Sequence, residues 1–304
     1  MKIDIDILSF PDEDLQYAIN CMDICDLIAF SLRSKHTKNL VKSSNRKIES
    51  SSVYIYENHI RFGITTRISK NSYAHTAMDL FDSYIKLDDR SGVKYWRKEE
   101  FTRNNWIAHL LDIFNHQSMI ATLAIENVSL SYLDTVKQVI PKCNSLEIRH
   151  TCSDDVAKMA FFKLSLIVVQ SVKVRKNIFR KDNDISKFLT PNLKYVSFDD
   201  PEYPFKLISD DLLTLNSDNL SIEPANITEK ELNKFLKLWM KRNHTFYRPK
   251  VIELFLKNGT EIDEEEVFKG VKYEAKYDEQ RLKRRDGKEL DVYIAYNYIK
   301  FQFK

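Results

Sequence analysis

The chain has 304 residues, of which 47 are Lys or Arg and 44 are Asp or Glu. This near balance of charge argues against a nucleic-acid-binding or membrane-binding protein, and the 43% apolar content predicts a sizeable core. Only five glycines are present, and their spacing excludes a GxGxxG motif, a P-loop and a GxSxG elbow. We therefore expect a protein that is not an enzyme.

The cysteines and histidines show no pattern of a metal site. No disulfide or zinc spacing relates the four cysteines, which are Cys21, Cys25, Cys143 and Cys152. His109 and His116 are interpreted as surface or boundary residues, with a shared metal site as the alternative. We expect free thiols in a reducing compartment, no cofactor, no metal and no catalytic residue. The absence of a signal-peptide pattern and of a long apolar run predicts a cytoplasmic protein.

Residues 10–42 predict three short amphipathic helices. Asp12, Asp23 and Ser34 are their expected N-cap residues. A unit of this size buries too small a fraction of its surface to be stable alone. Its apolar faces are therefore expected either to pack on the rest of the chain or to bind a partner.

This stretch resembles an F-box, the three-helix motif that docks on the Skp adaptor of SCF-type ubiquitin ligases. The residues that carry the resemblance are Pro11, Leu15, Ile19, Met22, Asp26, Leu27, Ser34 and Lys35. The pattern departs at Phe10, where Leu is usual, and it lacks a Trp early in the third helix. The resemblance implies an F-box over residues 1–48 that binds a Skp-family adaptor. The residues expected to contact the adaptor are Pro11, Leu15, Ile19, Met22, Leu27, Ile28 and Leu32.

The next part of the chain predicts strands and one helix. Residues 53–65 read as two strands around a Glu57-Asn58 turn, and residues 84–97 as further strands. Residues 104–116 have the apolar spacing of an amphipathic helix.

Short apolar alternations then recur at nearly regular intervals, at 121–126, 145–150, 171–176, 193–199, 219–224 and 251–257. Helix-like stretches lie between them, at 133–142, 153–164, 205–215 and 228–241. This alternation predicts an irregular leucine-rich-repeat-like α/β solenoid over about residues 121–257. An ordinary α/β domain with evenly spaced elements is the alternative.

The segment 210–256 predicts a helix between two strands. Thr228 and Glu231 have the spacing of a capping box. The segment resembles the nematode F-box-associated domain of the second type. The matching residues are Leu212, Leu213, Asn216, Ile227, Thr228, Leu232, Asn233, Phe235, Leu236, Trp239 and Asn243. Lys241-Arg242 replaces the usual Gly-Ser, so we expect a different turn over 242–249. The resemblance implies an F-box-associated domain over residues 49–304.

Residues 267–304 predict a C-terminal β-hairpin that caps the solenoid, with its turn at Asp286-Gly287. The basic run RLKRR at 281–285 is interpreted as a charged hairpin edge that discourages strand pairing. A nuclear localisation signal is the alternative, which would place the protein in the nucleus as well as the cytoplasm.

The two resemblances together imply a substrate-recognition subunit of an SCF-type ligase, joined to cullin and a RING subunit through the adaptor. A target protein is expected to bind the outward-facing positions of the repeat strands, with loops as the alternative site. Those positions are Glu147, Arg149, Lys173, Arg175, Ser197, Asp199, Ser221, Glu223, Glu253 and Phe255. Two rival functions remain open: a sequestering antidote or decoy that uses the same surfaces, and an enzyme on an α/β scaffold.

Overall fold

The computed structural model describes residues 8, 10–44, 48–70, 72–89, 92–114, 119–179, 185–241, 247–257 and 259–304. The chain forms two compact units. The first comprises Met1–Ala124 and Gln138–Pro141, and the second comprises Ile125–Lys137 and Lys142–Lys304. The predicted boundary between residues 48 and 49 lies inside the first unit, so as a boundary between sequence domains it stays a prediction.

The three N-terminal helices are α1 (Asp12–Cys21), α2 (Ile24–Ser31) and α3 (Lys35–Ser43). Asp23 caps α2, because its Oδ1 accepts a hydrogen bond from the Asp26 backbone N–H at 2.8 Å. Ser34 caps α3 in a reciprocal pair with Thr37. The prediction that Asp12 caps α1 is wrong: Pro11 occupies the N-cap without a side-chain cap, and Asp12 is the first helical residue. A carboxylate there still stabilises the helix through the macrodipole.

The rest of the first unit consists mainly of an antiparallel meander, formed by β1 (Ser50–Ile55), β2 (Ile60–Ser69), β3 (Ser72–Phe81), β4 (Tyr84–Asp89) and β5 (Gly92–Arg97). Strand β6 (Ile120–Ile125) lies beside β1. Helix α4 (Arg103–Ile113) packs against β2 and β3, and its Trp106 and Leu110 are buried. The structure confirms the strands predicted within 53–65 and 84–97. It also confirms the helix predicted at 104–116, which ends at residue 113. Strand β3 has no counterpart in the predictions.

Helix α4 also holds the N-terminal helices. The Ser31 Oγ of α2 lies 2.9 Å from the His109 Nε2 of α4, and both side chains are buried. Because the Ser31 hydroxyl donates to the Ile28 carbonyl at 2.7 Å, we infer that His109 Nε2 carries the proton and donates to Ser31. At the rim of the same contact, Asp112 accepts hydrogen bonds from Lys38 and Lys42 of α3 at 2.7 and 2.5 Å, and these bonds lower the pKa of Asp112.

The second unit contains parallel strands in the spatial order β7 (Cys143–Ile148), β8 (Val168–Val174), β9 (Tyr195–Asp199), β11 (Asn219–Asn226) and β12 (Val251–Leu256). The two-residue strand β10 (Phe205–Lys206) pairs with β11. The helices of this part of the chain are α5 (Tyr132–Val139), α6 (Asp154–Leu164), α7 (Ser186–Leu189), α8 (Ser209–Thr214), α9 (Glu229–Lys241) and α10 (Glu264–Phe268). The helix predicted over 205–215 is therefore shorter, because its first residues form β10.

The C-terminal part is a four-stranded antiparallel extension of the same sheet. Its strands are β13 (Glu274–Lys276), β14 (Glu279–Lys283), β15 (Glu289–Ala295) and β16 (Tyr298–Phe303), and β16 pairs antiparallel with β12. The predicted turn at Asp286-Gly287 is present, and Gly287 has a φ of 88° there. The prediction of a single two-stranded hairpin is wrong, because the chain reverses again at Tyr296-Asn297 and at Tyr277-Asp278.

The fold class is thus α/β with a large mixed sheet, and the leucine-rich-repeat-like solenoid is not confirmed. A solenoid repeats one strand-and-helix unit, each stacked on the last with the same pairing direction. Here the parallel strands continue into an antiparallel set, and the described connection from β8 to β9 contains only the four-residue α7.

Side-chain alternation divides the second unit's sheet into two faces. One buried row consists of cross-strand neighbours that are at most 1% exposed: Leu146, Val172, Val196, Leu220, Ile252 and Phe301. The helices lie against this face, as shown by the ring contacts of Phe198 with Phe161 at 6.4 Å and of Phe301 with Phe235 at 5.2 Å.

Helix α9 carries the predicted buried stripe. Leu232, Phe235, Leu236 and Trp239 are all at most 2% exposed. Thr228 accepts a hydrogen bond from the Glu231 N–H at 3.3 Å, but the capping box is not formed. The Glu231 carboxylate instead accepts the Ser209 backbone N–H of α8 at 2.7 Å, which lowers the pKa of Glu231. In the predicted turn 242–249, residues 242–246, including Asn243, lie outside the described residues.

None of the helices in the described ranges is both long enough and apolar enough to cross a membrane.

The buried His109 predicts a pH dependence of stability. Burial, assisted by Lys38 and Lys98 and opposed by Asp112, lowers the pKa of His109 to about 4 from an ordinary value of 6.5. Between pH 6.5 and 4, the His109 ring therefore stays neutral in the folded protein but is protonated in the unfolded chain. This contribution to stability is complete above pH 6.5 and declines as the pH falls towards 4, by about 3 kcal/mol in total.

Urea denaturation of the wild type and of His109→Gln between pH 7.5 and 4.5 measures this contribution. Gln keeps a donor for Ser31 but does not titrate, so the variant should lose less stability on acidification than the wild type. Equal losses in the two proteins would contradict the assignment of His109 as the buried titrating group.

Candidate functional site

The face of the second unit's sheet opposite the helices is mostly polar, and we call it the open face. Its central row runs across neighbouring strands through Glu147, Lys173, Ser197, Ser221, Glu253 and Lys300. All ten residues predicted to bind a target belong to β7–β12 or follow them directly, and the pairing places the eight within the ladders on this face. Whether they contact a target stays a prediction.

Six charged side chains link along this face, and we call them the charge ladder: Glu126, Arg149, Glu147, Arg175, Asp199 and Lys173. Arg149 bridges Glu126 at 3.6 Å and Glu147 at 3.1 Å. Arg175 contacts Glu147 through its Nε and Asp199 at 3.1 Å, and Lys173 lies 3.6 Å from Asp199. Hydrogen bonding to Glu147 raises the pKa of Arg175 further. Each of these charges lies beside one of opposite sign. The ion pairs therefore hold the side chains in defined orientations on the sheet.

An aromatic cluster occupies the other end of the open face, formed by Phe255, Tyr293 and Tyr298. The ring centroids of Phe255 and Tyr298 are 4.9 Å apart, and those of Tyr293 and Tyr298 are 6.0 Å apart. The Tyr298 hydroxyl donates a hydrogen bond to Glu253 at 2.7 Å. Burial, together with this bond, raises the pKa of Tyr298. Half-buried aromatic side chains held in this way have the character of interface hot spots.

The remaining predicted target-binding residues differ in accessibility. Ser197 and Ser221 are only 5% and 9% exposed, because their short side chains lie between longer neighbours. Glu223 is exposed. Sequence reasoning missed Lys300, Tyr293 and Tyr298, which extend the open face across β15 and β16. The alternating sequence YIKFQF at 298–303 is the signal that predicts a strand with one polar face there.

The residues predicted to contact an adaptor fall into two groups. Leu15, Ile19, Leu27 and Ile28 are at most 5% exposed within the first unit. Their side chains belong to its core, so direct contact with a partner would require the helices to open. Pro11 is exposed, and Met22 and Leu32 are half-buried. Adaptor contact by all seven stays a prediction.

Two exposed aromatic side chains, one just before α1 and one on it, were not among the predicted adaptor contacts. Phe10 is 37% exposed and Tyr17 is 73% exposed. They are seven residues apart, and Tyr17 lies on the helix surface opposite the buried Leu15 and Ile19 positions. Aromatic residues are enriched at protein–protein interfaces, which makes these two side chains candidates for partner contact.

Other candidate sites carry structural roles. His109 is buried, which corrects its interpretation as a surface or boundary residue, and His116 lies outside the described residues. Among the described residues, no group of three or more His, Cys, Asp or Glu side chains could hold a metal ion. Burial raises the pKa of the Cys143 thiol to about 12, consistent with a core residue.

The basic run 281–285 is also used by the fold. Arg281 forms a two-pronged ion pair with the buried Asp291, with its Nε at 2.7 Å. Arg284 is buried, with its guanidinium 5.3 Å from the Trp239 ring centroid. Strand β13 pairs with β14 through residues 279–281 only, so Leu282 and Lys283 have a neighbouring strand on one side, and the interpretation of this run as a charged hairpin edge stays a prediction. Its use as a nuclear signal stays a prediction.

Comparison with protein families agrees with the two resemblances. Residues 7–49 match the F-box domain, and residues 184–246 match the F-box-associated model. The chain carries an F-box and an F-box-associated domain. The F-box match covers α1–α3, and the F-box-associated match covers α7–α9 and β9–β11.

A relative from Caenorhabditis elegans, the F-box associated domain-containing protein sdz-33, is 22% identical over 269 residues. The alignment covers 84% of this chain and 79% of the relative, which indicates a nematode-type F-box protein. No solved structure matches this chain.

If the charge ladder is a coupled network, reversing the charge of one of its members should lower the free energy of unfolding more than reversing an unpaired surface charge does. Arg175→Glu places a third carboxylate between Glu147 and Asp199 and should lower the free energy of unfolding by about 1 kcal/mol. Lys206→Glu is the control, since the exposed Lys206 forms no ion pair among the described residues, and it should change stability by less than about 0.5 kcal/mol. Urea denaturation measures both, and 1 M NaCl should reduce the difference. Equal effects in low salt would mean that the ladder is not a coupled network.

Proposed function

We propose that this protein is a substrate-recognition subunit of an SCF-type E3 ubiquitin ligase. The F-box would bind a Skp-family adaptor, and the F-box-associated domain would bind a target protein. The observation that carries the proposal is the pair of family matches in this order along one chain. Catalysis would reside in the other subunits of the ligase, and the protein would act in the cytoplasm.

Two structural features support this division of labour. Phe10, just before α1, and Tyr17, on α1, are exposed aromatic side chains beside a buried core. The open face combines a self-neutralised charge ladder with an aromatic cluster, and this mixture of charge and aromatic surface suits recognition of a folded protein. Because the ladder side chains are already paired, we propose that Tyr293, Tyr298 and Glu223 contribute most to target binding.

Adaptor binding provides a direct test. Phe10→Ala with Tyr17→Ala should weaken binding to a purified Skp-family adaptor at least tenfold, because truncation of a buried interface anchor costs about 2 kcal/mol. The folded chain should keep its melting temperature, since both side chains are exposed. Glu13→Ala, an exposed residue of the same helix, is the matched control. Titration calorimetry measures the affinities.

Two outcomes decide the proposal. Wild-type affinity in the double variant would exclude Phe10 and Tyr17 as adaptor contacts, and no adaptor binding by the wild type would contradict the SCF role itself. Reconstitution with cullin and RING subunits adds the functional step. Adaptor binding without ubiquitin transfer to a captured target would favour the sequestering function instead.

A further inference from the structure

Strand β5 ends the sheet of the first unit. In the described residues it pairs with β4 and with no other strand. Val93 is 47% exposed and Tyr95 is 56% exposed, so the strand is open to solvent along much of its length. An edge strand of this kind presents unpaired backbone groups that can pair with another extended chain.

The hydrogen-bond pattern identifies the backbone groups at the free edge. The Lys98 N–H donates to the Ser83 carbonyl at 2.8 Å, which makes residues 98 and 83 an inward-bonded pair. Inward-bonded and outward-facing residues alternate along an antiparallel ladder. The N–H and C=O groups of Val93, Tyr95 and Arg97 therefore point away from β4.

One side of this edge carries cations. Lys86 lies directly opposite Tyr95, and Arg97 lies directly opposite Tyr84. Lys86 and Arg97 form no ion pair within the described part of the chain. Asp88 lies opposite Val93 on this side, and Asp79, opposite Lys86 on β3, is paired with Arg61. Two cations beside two tyrosines favour a ligand with carboxylate side chains.

The other side of the edge borders a groove. Lys94 and Trp96 point to the side of the buried Leu87 and Ile85. Together with Tyr95 and with Cys25, Asp26 and Ala29 of α2, they line a cavity of about 320 Å³. A cavity of this size beside small side chains accommodates one or two apolar side chains of a ligand.

We propose that the free edge of β5 binds an extended segment of another protein in which acidic and small apolar side chains alternate. Strand addition would pair the segment with Val93, Tyr95 and Arg97. Its acidic residues would lie beside Lys86 and Arg97, and its apolar residues would enter the groove against α2. This site belongs to the first unit, whereas the open face belongs to the second, and it adds a second binding activity to the proposed function.

The test uses the full chain and a fluorescein-labelled, end-capped octapeptide of alternating valine and glutamate, with fluorescence anisotropy as the readout. The octapeptide of alternating valine and lysine is the control and should bind at least tenfold more weakly. Tyr95→Pro removes an outward N–H without removing a bond to β4, and should weaken binding at least tenfold. Tyr95→Thr keeps the N–H and should bind within about threefold of the wild type.

A second variant, Arg97→Glu, keeps the test decisive if the proline variant does not fold, and it should also reduce binding at least tenfold. Equal binding of the two peptides, or wild-type binding by a folded Tyr95→Pro or by Arg97→Glu, would overturn the proposal. Binding that occurs only after removal of residues 1–7 would identify the chain's own acidic N-terminal segment as the occupant and would also overturn it. Neither adaptor nor ubiquitin transfer enters this measurement, so its outcome is independent of the proposed function.

Discussion

The register of the buried rows in the second unit is the constraint on which the open face depends. Because Leu146, Val172 and Val196 face the helices, their neighbours Glu147 and Lys173 must face the other way. A slip of one residue would bury those charges and expose the apolar row, at a cost far above the stability of a domain. The core therefore fixes the order in which polar side chains meet across the strands, and the charge ladder follows from it.

In the first unit, too, burial of apolar side chains fixes where a polar side chain lies, and here a helix carries both. Helix α4 buries Trp106 against the meander and offers His109 to Ser31 of the F-box helices. The F-box is thus a helical layer completed by residues far along the chain, and most of its apolar positions are used internally. This packing explains why a short helical motif can be stable here. The exposed aromatic side chains Phe10 and Tyr17 remain available to a partner.

Local patterns predicted the elements but not their long-range partners. The strand predicted at 251–257 is β12 (Val251–Leu256), because apolar alternation between polar ends is a strong local signal. Glu231 shows the limit: its spacing from Thr228 predicts a capping box, yet the carboxylate bonds Ser209, whose proximity only the fold determines. Strand direction is equally non-local, so nothing in YIKFQF at 298–303 indicated antiparallel pairing with β12. For the same reason the sequence left open whether the apolar face with Leu15 and Ile19 packs within the chain or binds a partner, and both side chains are buried.

In the proposed function the F-box helices bind the adaptor, and the open face remains free for a target. Hydrogen–deuterium exchange of the chain, alone and with a purified Skp-family adaptor, tests this assignment most directly. Adaptor binding should slow exchange in peptides covering residues 10–32 and leave exchange unchanged in β7, β8, β9, β11 and β12. Protection of those five strands by the adaptor, or a stable complex with unchanged exchange in residues 10–32, would contradict this assignment.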